Sequence, residues 1–144
     1  MHFSYEWTAL VAEELLVTDQ LTPEMIQSGA GLVAALDKLG VIVKGAFWLL
    51  LPSRRLWQLV IASPEVRTVG PKAVYRKVAA ANKRVPINVH PVATKDVAVV
   101  DDTVPLYQLL RSAVGTGPGI SGIRFSQNVI NGHAIEDAYL YRMT

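Results

Sequence analysis

Cysteine is missing from these 144 residues, so there can be no disulfide framework, no thiolate nucleophile and no cysteine-type zinc site. Long hydrophobic runs are missing as well. The longest, Ala46 to Leu51, falls far short of the roughly 20 residues a membrane helix needs. The opening Met1-His2-Phe3-Ser4-Tyr5-Glu6-Trp7 has no basic region and no small-residue cleavage site, which argues against a secretory signal. These absences lead us to expect a cytoplasmic protein with no membrane partner. Acids are scarce in one stretch: residues 41–95 hold ten Lys/Arg and only Glu65, whereas 1–40 carry a net −5 and 96–144 a net −2. The overall charge of +2 conceals this basic middle third.

The chain is rich in apolar residues, 51% of it, and its mean hydropathy is positive. At this length one domain can bury a full core, and the surplus suggests a partner copy covering apolar surface. Periodicity gives the elements. Phe3, Trp7, Leu10, Val11 and Leu15 have helical spacing, which makes residues 1–20 a peripheral helix. Thr22 as N-cap, Pro23 at the first position and Gly40 past the end frame a second helix, with Ile26, Ala30, Val33 and Leu36 on its stripe. Gly29 and Gly31 inside it point to close packing.

Val41–Leu51 and Leu56–Ala62 read as a hairpin around Pro52-Ser53-Arg54-Arg55, the first strand apolar enough to be covered on both faces. Gly70-Pro71 opens a helix to about Arg84. Val97–Val100 is a short strand, and Asp101 or Asp102 caps a helix through Ala113 that ends at Gly115. Two final strands, Ser121–Val129 and Ala134–Arg142, flank Asn131-Gly132, where both turn residues need positive φ. The order ααββαβαββ predicts a single α+β domain: a mixed sheet of about five strands with helices packed on it and a C-terminal β-hairpin.

Three places could carry function. On the helix after Gly70, Lys72, Arg76 and Lys83 lie within about 40° of one another, flanked by Lys77 and Arg84 and opposite the Val74–Val78–Ala81–Val85 stripe. Such a face could track a phosphate backbone, extended by Arg54, Arg55 and Arg67. It could equally be a solvated face, or one that docks on the acidic N-terminal helices. Residues 117–122 formally match G-x-G-x-x-G, but a phosphate site needs a strand before the glycines and a helix after them, and here that order is reversed. The segment reads instead as a permissive loop, able to bind an anion through its amides or to move as a lid.

In the final hairpin the Asn-Gly turn pairs Ser126 with Asp137 and Arg124 with Tyr139. One face then gathers Arg124, Ser126, Asn128, His133, Asp137, Tyr139 and Tyr141. The other, with Ile123, Phe125, Val129, Ala134, Ala138 and Leu140, faces the core. His133 lies roughly 13 Å along the strand from Asp137, too far to complete a serine triad. Neither the histidines nor the acidic pairs have metal-ligand spacing, so no metal and no cofactor are expected.

The blocks Arg55-Leu56-Trp57-Gln58-Leu59-Val60-Ile61-Ala62-Ser63-Pro64 and Gly117 to Arg142 resemble a family of small bacterial proteins with no assigned function, over residues 22–142. The resemblance implies a bacterial cytosolic origin and no particular chemistry. From the residues themselves two functional readings follow. The first is a non-catalytic binding module whose basic surface (residues 54–84: Arg54, Arg55, Lys72, Arg76, Lys77, Lys83, Arg84) meets nucleic acid or an acidic protein partner. The second is a small hydrolase or transferase at the Gly-rich loop and hairpin face, with Arg124 holding an anion, Asp137 as base, and Asn128 and Tyr139 beside them. A structural role as a homo-oligomer is a third expectation.

Overall fold

The structure, a computed structural model, describes residues 20–144; the helix expected over residues 1–20 lies almost wholly outside them. The elements are α1 (Pro23–Lys38), β1 (Gly45–Leu51), β2 (Leu56–Ala62), the single turn α2 (Glu65–Thr68), α3 (Pro71–Asn82), a 3₁₀ turn at Thr94–Asp96, β3 (Val97–Val100), α4 (Pro105–Ala113), β4 (Ile123–Ile130) and β5 (His133–Met143). The strands form one mixed sheet in the order β3-β2-β1-β5-β4, with only β2 and β3 parallel. This is the α+β architecture expected, ending in an antiparallel hairpin.

The sheet is covered on both faces. On one, α1 and α3 pack Leu32, Leu36, Val74 and Val78 against Trp48, Trp57, Leu59 and Ile61. On the other, α4 brings Tyr107 and Leu110 onto Phe47, Val60 and Leu140. Alternation along the central strand β1 therefore buries both sets of side chains, which explains its unbroken apolar run. Thr22 caps α1 through its hydroxyl, which accepts from the Met25 amide at 3.2 Å, and Gly40 follows the helix end with φ of 78°. Gly29 is needed where it stands. A Cβ there would lie 2.3 Å from Tyr141 Oη and 2.7 Å from Trp48 Nε1.

Several boundaries differ from the sequence reading. β1 begins at Gly45 rather than Val41, because the Val41 amide bonds back to Leu36 O of α1 and the Ile42 amide to the Glu65 side chain. The α1 stripe centres on Leu32, Val33 and Leu36, leaving Ile26 and Ala30 half-buried. Neither Asp101 nor Asp102 caps α4. Val104 occupies that position without a side-chain bond, and Pro105, which has no N–H to satisfy, starts the helix. Gly115 does not take a left-handed conformation, since α4 ends through Val114 in extended backbone.

The hairpin has the expected register, from Ile130↔His133 to Ile123↔Leu140. Its core face is not the one expected throughout. Gln127 takes φ of 48°, and the Gln127–Glu136 pair drops out of the ladder. Beyond that break the alternation is offset: Ile130 and Ile135 are buried toward α4, while Val129 is 69% exposed and Ala134 is exposed too. One left-handed residue thus swaps which side of the ribbon meets the body.

Candidate functional site

The hairpin cluster assembles where the sequence placed it. Arg124 donates from Nε to Asp137 Oδ1 at 2.6 Å and from a terminal nitrogen to Oδ2, a bidentate pair, and Ser126 Oγ donates to Oδ1 at 2.7 Å. Burial opposes ionisation of Asp137, but the bonds from Arg124 and Ser126 outweigh it and hold the carboxyl below the usual range. The carboxylate in turn raises the Arg124 pKa. The guanidinium lies 5.4 Å from the centre of the Trp57 ring, so it is held by a carboxylate and a π face together. Asn128 is turned back on the strand and donates to Ser126 O at 3.0 Å. Tyr139 packs edge-on to Tyr141, and its hydroxyl stands against Gly122. His133 is not a partner of Asp137. It lines a separate groove against α4 with Leu106, Leu109 and Ile135.

The basic residues divide into two groups. Arg67, itself exposed, bonds both Asp101 and Asp102, holding the Asp102 carboxyl below its usual range. Lys77 is paired with Glu65, whose other oxygen accepts from the Ile42 amide at 2.6 Å; the bond from Lys77 is the larger cause of that acid's lowered pKa. These two cations join α2 and α3 to the loops at the C-terminal ends of α1 and β3. The other group faces solvent. Lys72, Arg76, Lys83 and Arg84 are exposed and form no ion pair among the described residues, and Arg54 is exposed in the β1–β2 turn. Arg55 sits beside it at φ of 51°.

The Gly-rich loop is tied down rather than free. Thr116 exchanges bonds with Met143 through its amide and hydroxyl, the Ser121 amide donates to Tyr141 O at 2.7 Å, and Arg142 donates to Gly119 O at 3.3 Å. Arg142 is itself buried and held bidentate by Asp37 at 2.9 and 2.8 Å. The segment lies along β5 as a fixed edge, which removes the basis for the lid suggested by its glycines.

One concavity had no counterpart in the sequence reading. The start of α1 (Glu24, Met25, Ser28), Trp48, Leu56, Trp57 and the segment from His90 to Asp96 enclose a cleft of about 560 Å³. Trp57 is shared between it and Arg124. Its walls come from four separated stretches of chain, so only the tertiary structure brings them together. Among the described residues, no group of three His, Asp or Glu gathers as a metal site, and no helix is long and apolar enough to cross a membrane. No protein-family model matches the chain, and no curated protein or solved structure matches it significantly.

Proposed function

We propose that this protein is a non-catalytic binding module that meets nucleic acid through the exposed cations of α3. One observation supports this most: Glu65, Asp101 and Asp102 are taken by Lys77 and Arg67, while Lys72, Arg76, Lys83 and Arg84 stand in solvent without an ion pair among the described residues. Cations left unpaired in this way can neutralise phosphates, and the release of the counterions condensed on the nucleic acid drives association. A cytoplasmic setting belongs to the same proposal. An acidic protein surface is the other partner such a face suits, and it would lack the regular charge spacing that a duplex presents.

The enzymatic reading has less behind it. A general base needs a free lone pair and a pKa near the working pH. Both Asp137 oxygens are engaged and its carboxyl is held low, while Arg124 is already neutralised by that carboxylate. The pair is better suited to fixing the ribbon over Trp57 than to chemistry.

Fluorescence anisotropy with a labelled generic DNA duplex and a single-stranded RNA tests the proposal. Binding is expected at about 50 mM salt and should weaken steeply toward about 200 mM. No binding to either at the lower salt would overturn it.

A further inference from the structure

The cleft between α1 and the 90–96 segment shares Trp57 with the hairpin's charged pair and is not used by the α3 surface. Its floor is apolar: Trp48 and Trp57 are 3% and 4% exposed, and Met25, Val92 and Leu56 complete it. Its volume, about 560 Å³, is in the range of small-molecule sites, roughly 300–1,000 Å³, which are apolar with a few placed polar groups.

One such polar group is present. Ser28 is 7% exposed, lines the cleft, and its hydroxyl makes no hydrogen bond among the described residues. The hydroxyl is not sealed in the wall but opens to the cleft, where a ligand oxygen can reach it. It could bond back to the preceding turn of its own helix, and it does not. At the rim, Glu24 and Asp96 are offset by Lys95, with His90 beside them, so no strong field of one sign favours a charged ligand.

We infer that this cleft binds a small uncharged apolar molecule carrying one hydroxyl or carbonyl oxygen, with the apolar body on Trp48 and Trp57 and the oxygen bonded to Ser28. Such a site is independent of polyanion binding, and each can fail without the other.

The probes are 2-naphthol and naphthalene, which share a ring system and differ by one hydroxyl. Each is titrated into the full-length ¹⁵N-labelled chain and followed by amide and indole N–H shifts. Saturable shifts confined to Met25, Ser28, Trp48, Trp57 and residues 90–96 are expected, with 2-naphthol the tighter ligand. Ser28→Ala should weaken 2-naphthol about fivefold, the worth of one hydrogen bond, and leave naphthalene unchanged. Ala93→Trp, made at an exposed rim position so that the fold is spared, should abolish both. Scattered or non-saturating shifts would overturn the inference, and so would an equal effect of Ser28→Ala on the two probes. Binding that appears only after residues 1–19 are deleted would also overturn it, by making the chain's own N-terminal segment the occupant.

Discussion

Tyr141 shows how much of this molecule is decided by single atoms. Its ring is buried, its hydroxyl donates to Ile26 O at 2.5 Å and accepts from Trp48 Nε1 at 3.0 Å, and burial pushes its pKa well above the usual value. The phenol therefore stays a donor across the physiological range and ties β5 to α1 and β1. Gly29 leaves the room for it. Gly29→Ala would gain about 1 kcal/mol of helix propensity, but the added methyl would collide with Tyr141 Oη and Trp48 Nε1. Such overpacking costs about 1–3 kcal/mol before the hydrogen bonds are disturbed. We expect a net loss of about 2 kcal/mol in urea unfolding, with Tyr141→Phe recovering part of it in the double variant. A stabilised Gly29→Ala protein would contradict this packing.

The paired carboxylates make a second residue-scale prediction. Asp137, Glu65 and Asp102 all have pKa values lowered in the folded state. A depressed folded value means the unfolded chain binds the proton more tightly. The stability these groups contribute is thus complete above their unfolded values, about 3.9 for Asp and 4.3 for Glu. It is lost as pH falls through the lower folded ones. The urea midpoint should hold steady from neutral pH to about 5 and decline below about 4. Asp137→Asn and Glu65→Gln should each flatten that decline. An unchanged acid limb in both variants would show that the pairs contribute nothing, as exposed pairs sometimes do.

At the scale of elements, the terminal hairpin carries the sharpest test. Asn131 and Gly132 take φ of 49° and 81°, as their turn requires, and Gln127 takes 48° inside a strand. Glutamine pays for that conformation with strain of about 1 kcal/mol or more. Gln127→Gly should therefore be neutral or stabilising by up to ~1 kcal/mol. Gln127→Val should be destabilising, because a β-branched residue is a steric outlier there. Thermal unfolding of the two variants decides it: a Val variant as stable as the Gly variant would mean that the ribbon does not turn at this residue.

The same hairpin shows what could be read in advance. Asn-Gly sets the register locally, so the Arg124–Asp137–Ser126 cluster is legible in the sequence. The offset at Gln127 was not, because nothing in a polar strand marks one residue for a left-handed backbone; burial of Ile130 and Ile135 against α4 is what selects it. Helices α1 and α3 were legible from Thr22, Pro23, Gly40 and Pro71. The single turn α2 was not, being too short for any period, and Asp101-Asp102 looked like a cap until Arg67 claimed both carboxylates from a distant part of the chain. Long-range pairing also hid the strand order and the cleft.

Over the whole molecule, charge and apolar cover are segregated. The sheet hides its aromatic residues between α1 and α3 on one face and α4 on the other, while α3 turns Lys72 and Arg76 outward, with Lys83 and Arg84 just past its end. This separation is the basis of the proposed polyanion binding, since the core needs none of those four side chains. Replacing them should leave the unfolding free energy in urea within ~0.5 kcal/mol of the parent, as for other surface changes. The decisive measurement is the slope of log K against log salt for a DNA duplex, taken for the parent chain and for a K72A/R76A/K83A/R84A variant. If each cation displaces one counterion, the parent slope contains about −3.6 from these residues. The variant should lose that share along with most of its affinity. A variant that binds with the parent's slope would contradict the assignment of function to this face.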